Sequence, residues 1–396
     1  MSAPQRARAV LAGVALALAV VACGPSPSAA PGNPGTDPSA APPDPSIVAA
    51  RRSAGLPLFA DNPGAPLDVV ITPDPADTTA LATVAELTYS GARGDTVTAL
   101  LVQPVAQSQH PAVIMLSGLP GTRRDLLPRA LDFASAGVLS LLVDAPHARA
   151  ARLGPGTQPL NFTAQDRDEQ IQLIVDLRRA VDLLAARPDV DPFAIGFFGA
   201  SYGASMGGLF AGVEPRLAAA VLESGDGGLV SHFAALGDAS PLAGLSPAAR
   251  DAWLAAMEPI EPLYFVGNAS GPVLFQAGRL DPVSTPAEQV RFAAAGNAQS
   301  SITWYDAGHG LGQPAWCDAA HWLGDHLGFD GSGATACGPA APQDSSSWIA
   351  IIGLFLILIG VRLALRLRRR PPPPPPDDED DDPNAYTPPI IRPAER

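Results

Sequence analysis

The chain has 396 residues, 47% of them hydrophobic, with 44 Pro, 38 Gly and a formal charge of −14. That length can bury one large core of roughly 250 residues and leave long ends outside it. The acidic balance excludes a protein held to nucleic acid by phosphate contacts.

In chain order, Arg6 and Arg8 precede an uncharged apolar run from Ala9 to Ala22, with small residues before Cys23. This layout predicts a secretory signal over residues 1–22. Cys23 stands where a bacterial lipobox places the thiol that receives lipid, which it resembles, so lipidation at Cys23 is expected. Residues 23–80 are rich in Pro, Ser and Gly at first and show no hydrophobic rhythm, so they read as a linker with little structure.

From about Thr83 to Phe329, short Val/Ile/Leu runs alternate with Ala- and Leu-rich helical stretches. That pattern predicts a mainly parallel central sheet with helices on both faces, an α/β domain over residues 81–330. Thr96 to Val102 reads as an alternating strand. Ala112–Leu116, Val138–Val143, Ala194–Phe198, Val273–Gln276 and Ile302–Tyr305 lack polar alternation and read as strands buried on both faces. Glu169 to Ala186 reads as a helix, with Ile171, Ile174, Val175, Val181 and Leu184 along one stripe. Short helices over 229–262 break the alternation, as a small cap inserted over a site would.

Ile195 to Phe198 runs directly into Gly199-Ala200-Ser201-Tyr202-Gly203, followed by small and apolar residues suited to a helix. A strand, a sharp G-x-S-x-G turn and a helix form the setting that exposes a serine hydroxyl on strained backbone. A second copy of the pattern centres on Ser205. Making Ser205 the exposed serine would extend the strand through Gly199, Ala200 and Ser201, which are poor strand formers, so Ser201 is the preferred nucleophile.

With Asp191-Pro192-Phe193-Ala194-Ile195-Gly196 leading into that turn, the region from 83 to 329 resembles the α/β-hydrolases, in particular their dienelactone-hydrolase and prolyl-oligopeptidase-like branches. The resemblance implies a serine, acid, histidine order along the chain. Ala277-Gly278-Arg279-Leu280-Asp281 looks like the family's acid turn, and Asp306-Ala307-Gly308-His309-Gly310 like its histidine loop. Ser201, Asp281 and His309 are thus the expected catalytic triad, with Asp306 as a fallback acid. Backbone N–H groups of Tyr202 and Leu119 would form the oxyanion hole, although Ser117 stands where the family carries His. Asp144 is expected to fix a loop. His147 could line the pocket and His232 could touch substrate, though His232 reads better as a packed or surface residue.

The implied activity is two-step hydrolysis of a small-molecule carboxylic ester. A peptidase of the prolyl-oligopeptidase-like kind and a non-catalytic envelope binding protein are the rival readings. No His/Cys/Asp set has metal-ligand spacing and no glycine loop matches a phosphate or dinucleotide cradle, so neither metal nor cofactor is implied.

With Cys23 assigned to lipid, Cys317 and Cys337 remain as a pair in an oxidising compartment, and a disulfide between them is expected. Residues 331–347 then read as a linker. Trp348 to Val361 is apolar, and Arg362, Arg366 and Arg368 to Arg370 follow. Those 14 residues cover only about 21 Å of a ~30 Å hydrocarbon layer, so a transmembrane helix needs to run over 348–367 with its arginines snorkelling. The positive flank puts the tail, 368–396, in the cytoplasm and the domain outside a bacterial cell membrane. The tail's proline run and acidic run can bury nothing and are expected to be disordered, and its partner is unreadable.

Overall fold

The computed structural model describes residues 43–334 and 337, apart from 92, 107, 150–159 and 238–239. The predicted signal, Cys23, the 348–367 span and the tail lie outside the described residues. Among the described residues, no helix is long and apolar enough to cross a membrane.

Nine strands form one sheet: β1 (Val70–Pro73), β2 (Ala82–Ser90), β3 (Thr96–Pro104), β4 (His110–Leu116), β5 (Leu139–Val143), β6 (Val190–Ala200), β7 (Ala219–Glu223), β8 (Val273–Gly278) and β9 (Ser301–Tyr305). Their spatial order is β1-β2-β3-β5-β4-β6-β7-β8-β9. The first three pair antiparallel, as does β3 with β5. Every neighbouring pair from β5 to β9 is parallel. The order reverses at β4, which has β5 on one side and β6 on the other. At such a switch point the loops after the strands diverge and leave a crevice at their carboxyl ends.

Strand residues alternate between two separate cores, which is why the central runs show no polar alternation. Ala112, Ile114 and Leu116 of β4 pack on one face with α3 (Ala164–Ala185) and α4 (Tyr202–Val213). Val113 and Met115 pack on the other with α2 (Leu127–Ser135) and α8 (Gly312–Leu327). The expected α/β architecture is thus borne out.

Three readings of organisation differ from the structure. Part of the 23–80 segment is ordered: α1 (Pro45–Gly55) starts under an Asp44 cap, and a 3₁₀ turn follows to Phe59. Phe59 is buried edge-on against Phe265 at 5.6 Å, and the Arg178 and Arg179 guanidiniums donate to the carbonyls of Phe59 and Pro66. These partners lie far along the chain, so no local rhythm records them. β1, β2 and β7 have no counterpart among the strands predicted from sequence; β7, which opens with Ala219-Ala220, is buried throughout between β6 and β8. The segment after 330 is no linker at its start, since Gly331, Ala334 and Cys337 are buried and Cys337 is bonded to Cys317 of α8.

The insertion between β7 and β8 holds α5 (Val230–Ala235), α6 (Pro247–Met257) and several 3₁₀ turns to Asn268. The buried Glu261 carboxylate accepts N–H bonds from Leu229, Val230 and Ser231 and so caps α5. Burial raises its pKa against those bonds. Phe162, Phe233 and Trp253 meet ring to ring at 5.2 to 5.5 Å. The Trp253 indole N–H donates to Asp166 of α3 at 2.8 Å. Together these contacts seat the insertion over the carboxyl ends of the strands. The remaining helix, α7 (Pro286–Ala294), follows β8 behind a Thr285–Glu288 capping box.

Candidate active site

β6 delivers its last residue into a turn where Ser201 has φ 55° and ψ −120°. A non-glycine residue there costs of order 1–3 kcal/mol and persists only where its surroundings over-determine it. Here the Ser201 N–H donates to the Glu223 carbonyl of β7 at 2.8 Å. The flanking glycines are dictated by space. A Cβ on Gly199 would lie 2.2 Å from the Gly203 carbonyl oxygen, and one on Gly203 would lie 2.1 Å from that of Leu116.

β8 and β9 bring the other two predicted side chains to the same rim. The N–H groups of Arg279 and Leu280 donate to the carbonyls of Tyr305 and Ala307, so the turns after the two strands are tied together. Asp281 is buried. Its Oδ1 accepts from the N–H groups of Val283 at 2.8 Å and Ser284 at 3.1 Å, and Oδ2 from the Gln289 amide at 3.2 Å. His309 is steadied by Ser224, whose hydroxyl donates to the His309 carbonyl at 2.8 Å.

The imidazole joins the two ends. Its Nε2 is 2.7 Å from Ser201 Oγ, and its Nδ1 is 2.9 Å from Asp281 Oδ2 and 3.1 Å from Oδ1. With the proton on Nδ1 donated to the carboxylate, Nε2 presents a lone pair to the serine hydroxyl. Asp306, the fallback acid, is instead exposed and paired with Arg279. Ser205 is buried within α4 and bonds to Asp226 at 3.1 Å, with no part in this chain of contacts.

The loop expected to supply one oxyanion donor lies against Ser201: a Cβ on Gly118 would be 2.9 Å from the Ser201 Cβ. Leu119 and Tyr202 both border the cavity that holds Ser201 and His309. Behind the loop, the buried Asp144 accepts from the Arg123 N–H at 2.7 Å and from the Thr98 hydroxyl at 2.6 Å and pairs with the Arg123 guanidinium. His147 packs edge-on against the Tyr202 ring at 5.7 Å and is not on the cavity wall.

The cavity holds about 270 Å³ and is mainly apolar, with Leu119, Leu160, Leu229, Phe233 and Val283 among its walls. That is below the roughly 300–1,000 Å³ of sites for drug-sized ligands. A larger cleft of about 760 Å³, lined by Arg93, Asp95 and Arg149 among others, contains none of the three residues.

One cluster at the cavity was missed. His232 of α5 lies between Asp226, after β7, and Glu288 of α7. Burial opposes its charge, and the two carboxylates outweigh burial and raise its pKa to about 10. The signal was hidden because β7 was not recognised, so nothing placed Asp226 at the sheet's rim.

Among solved structures, an acetyl xylan esterase from Paenibacillus sp. R4 matches 73% of this chain and 98% of its own, with a TM-score of 0.59 at 16% identity. Acetyl xylan esterase 1 from Thermoanaerobacterium sp. JW/SL YS485 matches 72% of this chain and 93% of its own, with a TM-score of 0.56 at 17% identity. The chain has the α/β-hydrolase fold. The model of the acetyl xylan esterase (AXE1) family matches residues 65–225 of this chain, a stretch that includes the Ser201 turn and ends before Asp281 and His309. A probable 2-oxo-3-(5-oxofuran-2-ylidene)propanoate lactonase from Bradyrhizobium sp. is 23% identical over 192 residues, 48% of this chain and 68% of the relative.

Proposed function

We propose that this chain is a serine hydrolase that cleaves small carboxylic esters by way of an acyl-enzyme. The observation that carries the reading is the 2.7 Å contact of Ser201 Oγ with His309 Nε2, continued at 2.9 Å from Nδ1 to a buried carboxylate. A serine hydroxyl is a weak nucleophile until a neighbouring imidazole accepts its proton, and the carboxylate holds that imidazole in the useful tautomer.

In the proposed sequence Ser201 Oγ attacks the ester carbonyl carbon while its proton passes to His309 Nε2. The carbonyl oxygen becomes an oxyanion received by the Leu119 and Tyr202 N–H groups. The intermediate collapses, the C–O bond to the alcohol breaks and His309 returns the proton to the leaving oxygen. Water, deprotonated by His309, then attacks the acyl-enzyme and frees the acid and Ser201.

The small apolar cavity favours a short acyl group. This agrees with the acetyl esters in the names of the family model and of the two solved structures. We further place the domain outside a bacterial cell membrane, held by the 348–367 helix and by lipid on Cys23, on the sequence pattern of the two ends.

A fluorophosphonate probe, with p-nitrophenyl esters of increasing acyl length, tests the proposal. Expected are labelling that disappears in Ser201→Ala and fastest turnover for acetyl or propionyl esters. A folded wild-type chain that neither labels nor hydrolyses any of these esters would refute it.

A further inference from the structure

Asp226, His232 and Glu288 come from three separate elements, yet one ligand atom of each lies within 4.8 Å of the others. Nδ1 of His232 is 2.7 Å from Asp226 Oδ2 and 3.5 Å from Glu288 Oε1. The nitrogen is buried, but it makes no directional hydrogen bond to either oxygen.

The other oxygen of each carboxylate is already committed. Asp226 Oδ1 accepts from the Ser205 hydroxyl and the Gly228 N–H, both at 3.1 Å. Glu288 Oε2 accepts from the Thr285 N–H at 2.8 Å and the Thr285 hydroxyl at 2.7 Å. Neutral donors thus fix the outer oxygens and orient both carboxylates, while Asp226 Oδ2, which also accepts from the Ser284 hydroxyl at 3.4 Å, Glu288 Oε1 and the imidazole nitrogen converge on one point. Fixed outer contacts with converging inner atoms are what outer-shell partners impose on metal ligands.

From this convergence we infer that Asp226, His232 and Glu288 form a binding site for a divalent transition ion of the Zn²⁺ class. One imidazole with two carboxylates suits such an ion better than Mg²⁺ or Ca²⁺, which prefer all-oxygen sets. The two carboxylates cancel its charge. Asp226 and His232 border the cavity, which gives the ion an entry path and room for water in the remaining positions.

The test uses the untagged full chain in detergent, stripped with a chelator and titrated with ZnCl₂. Expected is uptake of about one equivalent, at least ~100-fold weaker in His232→Ala and in Glu288→Gln, because outer-shell changes alone cost 10–100-fold. Zinc-edge X-ray absorption on the wild type needs no variant to fold, and a light-atom shell with imidazole scattering is expected. No uptake by the stripped wild type, equal uptake by all three proteins, or a shell containing sulfur or lacking imidazole would overturn the inference and leave a buried ion triad only. Labelling of Ser201 by fluorophosphonate is read separately, so failure here is distinguishable from failure of the hydrolase reading.

Discussion

Replacing Asp281 by Asn tests the proposed arrangement at its most buried member. Oδ1 of Asp281 accepts two backbone N–H bonds, from Val283 and Ser284, while Oδ2 faces His309 Nδ1. An asparagine keeps its single oxygen where the two backbone donors are, which turns its NH₂ group toward the imidazole and gives up the bond that Oδ2 accepts from the Gln289 amide. Nδ1 must then accept rather than donate, the proton moves to Nε2, and Nε2 can no longer take the proton of Ser201. The same substitution in a serine protease triad lowers kcat about 10⁴-fold through the wrong tautomer, which at 1.36 kcal/mol per decade corresponds to about 5.4 kcal/mol of barrier. We expect a fall of that order in kcat for p-nitrophenyl acetate, with Tm changed by only a few degrees because the backbone contacts survive. Asp306→Asn, at an exposed site paired with Arg279, should stay within about twofold of wild type, as surface substitutions usually do. A folded Asp281→Asn enzyme retaining more than about a tenth of wild-type kcat would refute the role given to Asp281.

Two further outcomes follow from packing and charge. Gly203→Ala pushes a Cβ to 2.1 Å from the Leu116 carbonyl oxygen and 2.9 Å from that of Ser117. Both obstacles are backbone and cannot swing away, so a cost of about 3 kcal/mol is expected. Thermal denaturation should show it as a Tm about 6–12 °C lower, with hydrolysis lost as the turn shifts; an unchanged Tm would contradict the close approach of α4 to the end of β4. For Glu214, burial pushes the carboxyl pKa up, and the hydrogen bonds and charges of Arg216 and Arg178 outweigh burial and hold it below the usual value. A depressed folded pKa gives stability that is present above the unfolded value, about 4.3, and is lost as pH falls through the lower folded value. Glu214→Gln should therefore cost about 2 kcal/mol at pH 7, and the gap from wild type should close toward pH 3. A gap that persists undiminished at pH 3 would overturn this assignment.

Much of the fold was legible because a strand buried on both faces lacks polar alternation, and Ala112–Leu116 of β4, Leu141–Val143 of β5 and the end of β6 are apolar in runs long enough to see. β7 failed the same test for a physical reason. Alanine is the best helix former, so a short strand that opens with Ala219-Ala220 carries a helical signature. The N-terminal helix failed differently. Its order comes from Phe59 on Phe265 and from arginines of α3, contacts that closure of the sheet creates and that no window of neighbouring residues contains.

The proposed catalytic residues could be named from sequence because each follows a recognisable strand, and the carboxyl ends of parallel strands share one rim. Ser201, Asp281 and His309 are 80 and 28 residues apart along the chain, yet the topology puts them at the ends of β6, β8 and β9 on one rim of the sheet. Asp226, His232 and Glu288 obey the same logic at one remove. Asp226 follows a strand end, the strand that went unread. Glu288 sits on α7, after β8, and His232 on α5, whose placement depends on how the insertion folds back, which is decided by Glu261 capping α5 and by Trp253 bonding to Asp166. A sheet rim converts chain order into position by rule, whereas an inserted cap converts it only through its own contacts. Chemistry carried on the rim is therefore readable from motifs, and chemistry carried between rim and cap becomes visible only when the side chains are placed.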